Sequence, residues 1–154
     1  MKKLFYLLYL LPLSLLFSCD SDKDFSPVDM TLTLSGVTLY NQNFYSIAGD
    51  DVTIQSLTTK AQDGKNSAVS NVVFYLDGMP LWGLPGNPFD GIISSEDLPA
   101  GNHTLDVTGT LLEEGSSIMT FAASYNLIVV DNSGDIPSGA PEIGTYSSVI
   151  TFSK

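Results

Sequence analysis

The sequence has no arginine and only six lysines, two of them at positions 2 and 3. Duplex-binding proteins displace phosphate counterions with Lys and Arg side chains. Six lysines against 17 acidic residues, a net charge of −11, argue against a nucleic-acid partner. Histidine and cysteine occur once each, as His103 and Cys19. A single cysteine excludes an internal disulfide. A single imidazole forces any His-dependent triad or zinc site through His103, and zinc needs three or four N, S or O ligands. So thin a set of catalytic side chains argues against most enzymes, and no cofactor is indicated. What remains is 154 residues, enough for one ordinary domain, with no internal repeat.

Lys2 and Lys3 precede a stretch, Leu4 to Phe17, that is apolar apart from Ser14 and interrupted by Pro12. Leu4 to Ser18 is 15 residues, short of the roughly 20 that cross a bilayer core. A charged start, a short apolar run and a small residue before Cys19 mark residues 1–18 as a secretory signal peptide. In an exported protein a lone thiol is an intermolecular bridge, a reactive site or a lipid attachment point. Leu16-Phe17-Ser18-Cys19 resembles the lipobox of bacterial lipoproteins, with Phe17 standing where a small residue is more usual. The resemblance implies acyl chains on Cys19, which at about 0.8 kcal/mol per buried CH₂ anchor durably without a spanning segment.

Residues 19–27, with Asp20-Ser21-Asp22-Lys23-Asp24 at their centre, read as a polar, acidic tether. An acidic run behind the lipidated cysteine resembles the export signal of Bacteroidetes surface lipoproteins. That implies lipid anchoring at the cell outer membrane with the domain exposed at the surface. In enterobacterial lipoproteins an Asp at that place signals inner-membrane retention, so the leaflet stays open. Without its leader the chain keeps four lysines and a charge of about −13, which repels anionic surfaces.

From Val28 onward the apolar residues alternate with polar ones at the period of two that marks half-buried strands. Met30, Leu32 and Leu34 share a face opposite Thr31, Thr33 and Ser35, and Gly36 ends the run. A second strand starts at Val52 after Gly49-Asp50-Asp51 and reaches Lys60. Asn71 to Leu76 carries Val72, Phe74 and Leu76 on one face and Val73 and Tyr75 on the other, the pattern of a central strand. Asp77-Gly78 predicts a tight hairpin. Gly83 to Phe89, rich in Gly and Pro, predicts a loop. Ile92-Ile93, His103 to Val107 and Ile118 to Val130, the last expected to be the longest, complete the strands. Six or seven short strands within residues 28–131 predict an all-β fold, a single immunoglobulin-like antiparallel β-sandwich of about seven strands. Residues 132–154 read as a Gly/Ser/Pro-rich linker with a further strand possible at Thr145 to Phe152.

Asn71-Val72-Val73-Phe74-Tyr75-Leu76-Asp77-Gly78, then Asn87-Pro88-Phe89, then Leu98-Pro99-Ala100-Gly101-Asn102-His103-Thr104-Leu105 together resemble the bacterial Ig-like module. Two steps depart from its usual pattern, Met79-Pro80-Leu81-Trp82 and Gly109-Thr110-Leu111-Leu112. The resemblance implies a spacer or binding domain with no catalytic residues.

Candidate sites are few. Trp82, with Tyr75 and Phe89, could form an aromatic platform for the apolar face of a sugar. Trp82 could equally lid one end of the core, and that reading is preferred. His103 is read as a half-buried residue tying down a strand. Asp131, Ser133 and Asp135, or Asp50 and Asp51, could offer oxygens to Ca²⁺, but solvated turns are preferred and no metal site is assigned. Glu96/Asp97 and Glu113/Glu114 are taken as strand neighbours on opposite faces, which cannot flank one bond. These readings lead to a non-catalytic, membrane-anchored protein that binds a glycan or an envelope protein. The alternative is a structural or adaptor subunit that donates its C-terminal segment to a neighbour's sheet edge.

Overall fold

The computed structural model describes residues 26–115 and 118–153. The signal peptide, Cys19 and the tether up to residue 25 lie outside the described residues. Nine strands follow in order: β1 Val28–Tyr40, β2 Asn43–Ile47, β3 Val52–Ala61, β4 Ser67–Leu76, β5 Met79–Leu84, β6 Gly91–Ile93, β7 Gly101–Glu113, β8 Met119–Val130 and β9 Gly144–Phe152. Two single 3-10 turns, Ser95–Asp97 and Ser133–Asp135, are the helical structure among the described residues. The protein is an immunoglobulin-like sandwich of nine strands instead of seven. One sheet runs β9-β1-β3-β6 and the other β5-β4-β7-β8-β2.

β1 belongs to both sheets. Val28, Met30, Leu32 and Leu34 point into the core, as their alternation requires. Gly36 does not end the strand as expected from its sequence. It bends it, at φ +80, where a Cβ would stand 2.5 Å from the Asp51 carbonyl oxygen. Past the bend Val37 and Thr38 are both buried, and Thr38 to Tyr40 pairs with β2 in the second sheet. The Thr38 hydroxyl donates to the Pro141 carbonyl at 2.8 Å.

β2 was not foreseen: its five residues carry only Phe44 and Ser46 inward, too short a run to show a period. It pairs with β8 in parallel, Phe44 opposite Leu127 through Ile47 opposite Val130, so the sandwich is not wholly antiparallel. β5, Met79–Leu84, takes in the first two residues of the expected Gly/Pro loop, with Gly83 and Leu84 paired to Val73 and Val72. β8 spans 12 residues and is shorter than β1 and β7 at 13 each.

β9 pairs antiparallel with β1 at nine register positions, from Val28 opposite Phe152 to Val37 opposite Gly144. The C-terminal segment therefore completes its own chain's sheet, and the Phe152 ring packs 5.7 Å from Phe121. The core is filled by Phe44, Phe74, Phe89, Leu32, Leu34, Ile54 and Leu105, each at most 2% exposed. Burial of a side chain of this size contributes about 1.5–3 kcal/mol.

Candidate functional site

The Asp77-Gly78 turn has both residues at positive φ, +50 and +79, as a two-residue type I′ hairpin requires. That geometry brings Asp77 beside the start of β7. Its Oδ1 accepts the Thr104 backbone N–H at 2.8 Å, and its Oδ2 lies 2.7 Å from His103 Nδ1. His103 Nε2 lies 2.7 Å from the Pro99 carbonyl oxygen. A carbonyl can only accept and a carboxylate only accepts when ionised, so both ring nitrogens are called on to donate. Burial pushes the His103 pKa down, but the Pro99 carbonyl and Asp77 together outweigh it and raise the pKa above its ordinary 6.5. The His103 ring and the Thr104 N–H hold the Asp77 carboxyl below its ordinary value. The motif Asp-Gly of β4–β5 and the His of β7 thus meet as one clasp between hairpins, with the imidazole engaged on both sides.

Trp82, Tyr75 and Phe89 do not share a surface. Trp82 stands on β5 opposite Phe74, their rings 5.6 Å apart. A Cβ on Gly91 of β6 would overlap its indole. Trp82 thereby closes the side of the sandwich where β5 and β6 form the outer strands. Its Nε1 has no hydrogen-bond partner among the described residues. Phe89 is 2% exposed and belongs to the core. Tyr75 alternates with the buried Phe74 and Leu76 and so faces outward from β4.

The candidate oxygen ligands stay apart. Asp51 accepts the Ser95 N–H at 2.7 Å, and Asp135 accepts from Asn132 at 3.4 Å. Among the described residues no three His, Cys, Asp or Glu side chains gather as a metal site. Glu96 and Asp97 are not strand neighbours but lie exposed on the 3-10 turn Ser95–Asp97. Glu113 is buried at the end of β7 within 3.4 Å of the Ser26 N–H, whereas Glu114 is exposed and accepts from Asn66 at 2.8 Å.

The cleft that the sequence reading missed lies on the other side of the sandwich from Trp82. β8 is paired along its length with β7 on one side, but β2 covers its other side only at Leu127 to Val130. Between Ser124 to Asn126 of β8 and Ser147 to Ile150 of β9 a groove of about 630 Å³ is left, bordered by Asn41 and Gln42 of the β1–β2 turn and Asn43 at the start of β2. Asn41 and Gln42 hold φ of +47 and +65. Asn-Gln-Asn between two apolar runs was the available signal, but it reads as a turn only once β2 is recognised.

No family model matches the chain, and no curated protein does. Among solved structures, the fibronectin(III)-like modules of Clostridium thermocellum CbhA resemble it. The match has 18% identity and a TM-score of 0.36, and covers 62% of this chain and 94% of that one.

Proposed function

We propose that the chain is a non-catalytic envelope protein, anchored by lipid on Cys19 at the outer membrane and exposed at the cell surface, where it binds a glycan or a partner protein. The observation that carries the non-catalytic part is the engagement of the only imidazole: Asp77 holds His103 on one nitrogen and the Pro99 carbonyl holds the other. A general base needs a free nitrogen beside a nucleophile, and here the ring serves as a clasp. The anchoring part rests on the lipobox-like Leu16-Phe17-Ser18-Cys19 and the acidic tether behind it.

Two measurements on the full chain test this. Cys19→Ala should move the protein from the membrane to the soluble fraction and abolish incorporation of labelled palmitate. Retention of the protein on immobilised envelope polysaccharide or envelope proteins should persist in His103→Gln. Turnover of a sugar chain that depends on His103, Glu96 or Glu113 would refute the non-catalytic reading.

A further inference from the structure

The groove between the β1–β2 turn, β8 and β9 has the chemistry of a site, and its lining selects among ligands. Among the described residues no charged side chain lines it. Its borders carry four amides, Asn41, Gln42, Asn43 and Asn126, and the hydroxyl of Ser148. A planar amide presents a donor and an acceptor side by side, the spacing of two adjacent sugar hydroxyls, each of which both donates and accepts. The Asn126 Nδ2 donates to Asn43 Oδ1 at 2.9 Å between neighbouring strands on one wall of the groove, which fixes both amide planes and leaves Asn43 Nδ2 and Asn126 Oδ1 for a ligand. Leu39 adds an apolar contact for the C–H face of a sugar ring, while Val149, 57% exposed, stands at the outer rim on the face of β9 opposite Ser148.

Tyr125 borders the groove while only 4% exposed, with its hydroxyl buried on the core side of β8, opposite Ser124 and Asn126, so it shapes the floor and offers no contact of its own. One further observation distinguishes the groove from an ordinary gap between sheets. Gln42 holds φ +65, a region where glycine is the favoured residue. The chain thus places a long amide at a position where backbone conformation alone would select Gly. The volume, about 630 Å³, lies in the range of small-molecule sites.

We propose that this groove binds a neutral carbohydrate. An anionic polymer would meet a chain of net charge −11. An added peptide strand would call for apolar sockets for alternate side chains, where this groove offers amides and hydroxyls. The proposal rests on the binding-module reading above and gives it a site on the side away from Trp82.

The test is titration of the full chain with neutral cello-, xylo-, manno- and malto-oligosaccharides, alongside its melting temperature. Wild type should bind at least one of them. Asn126→Ala and Gln42→Gly should each weaken binding about tenfold, the loss of one well-placed hydrogen bond. Gln42→Gly should melt at a higher temperature than wild type, so that loss of binding is not loss of fold. Asn102→Ala, an exposed amide outside the groove, should bind within twofold of wild type. Binding untouched by the groove substitutions, or lost only in Trp82→Ala, overturns the groove and leaves the binding-module reading standing. No binding to any sugar, or occupation of the groove by an extended peptide instead, also overturns it. In that case retention on envelope proteins would still support the broader reading, and failure of both would remove both.

Discussion

Replacing Tyr125 with Phe should make the protein more stable. The side chain is 4% exposed, its ring lies 6.3 Å from Phe44, and its hydroxyl is buried without a partner among the described residues. Burying a hydroxyl that makes no hydrogen bond costs about 1–3 kcal/mol. Removing the oxygen leaves a void of roughly 10–15 Å³, which at about 24 cal/mol per Å³ returns only about 0.3 kcal/mol. The net gain is about 1–2 kcal/mol, a rise in melting temperature of roughly 3–8 °C. Urea unfolding at pH 7, followed by the fluorescence of the single tryptophan Trp82, should show a higher midpoint at unchanged slope. A second signature comes from pH. Burial raises the Tyr125 phenol above its ordinary 10.0. A raised pKa in the folded state contributes stability that is complete below the unfolded value and is lost as pH rises beyond it. Wild type should therefore weaken above pH 10 in a way Tyr125→Phe does not, and the gap between them should widen. A destabilised Tyr125→Phe at unchanged slope, with a gap independent of pH, would show that the hydroxyl is bonded and refute the reasoning.

The remaining predictions concern the clasp and two close approaches. Asp77→Asn keeps the turn, since Asn tolerates the positive φ there, but removes the charge facing His103; with Asp77 half exposed, the loss should be about 1 kcal/mol. The raised His103 pKa gives stability that is full below 6.5 and fades as pH rises through the folded value, and the lowered Asp77 pKa gives stability present above 3.8 that fades as pH falls. Denaturation curves from pH 3 to 9 should accordingly show the largest difference between wild type and Asp77→Asn between those two values, and a flat difference would contradict the pairing. Gly109→Ala would drive a Cβ into the Asn71 carbonyl oxygen and to 2.9 Å from the Phe121 ring, a cost of about 3 kcal/mol, whereas Gly86→Ala meets nothing within 4 Å and should stay within about 0.5 kcal/mol of wild type. Gly91→Ala should displace the Trp82 indole that lies against it, read as a red shift in tryptophan emission.

Much of the fold was legible because strands with one face buried write a period of two into the chain. β1 before Gly36, β3 as far as Ile54, β4 from Val72 onward and β8 follow it, and Asp77-Gly78 announced its hairpin because few residue pairs accept two positive φ angles in succession. β2 was illegible because five residues hold too few apolar positions to define a period. β5 was hidden by Pro80 and Gly83, which read as loop residues but are tolerated on an edge strand. The platform of Trp82, Tyr75 and Phe89, the less favoured of the two readings of Trp82, does not form for a related reason. Proximity in sequence and shared aromatic character do not decide which face of a sheet each ring takes.

The sequence by itself determined the strand composition, the single-domain scale, the acidic charge and the scarcity of catalytic side chains, all of which are local or additive properties. Its N-terminal pattern is also what motivates the proposed lipid anchor. Only the tertiary structure decided that β9 lies on β1 of the same chain, that β1 bends at Gly36 to serve both sheets, and that Asp77 reaches His103 across 26 residues. The groove is a product of the same level: it exists because β2 stops short of covering β8, leaving amides from a turn beside a buried tyrosine. Such juxtapositions depend on how strands distant in sequence are registered against each other, and the alternation within any one strand carries no information about that partner.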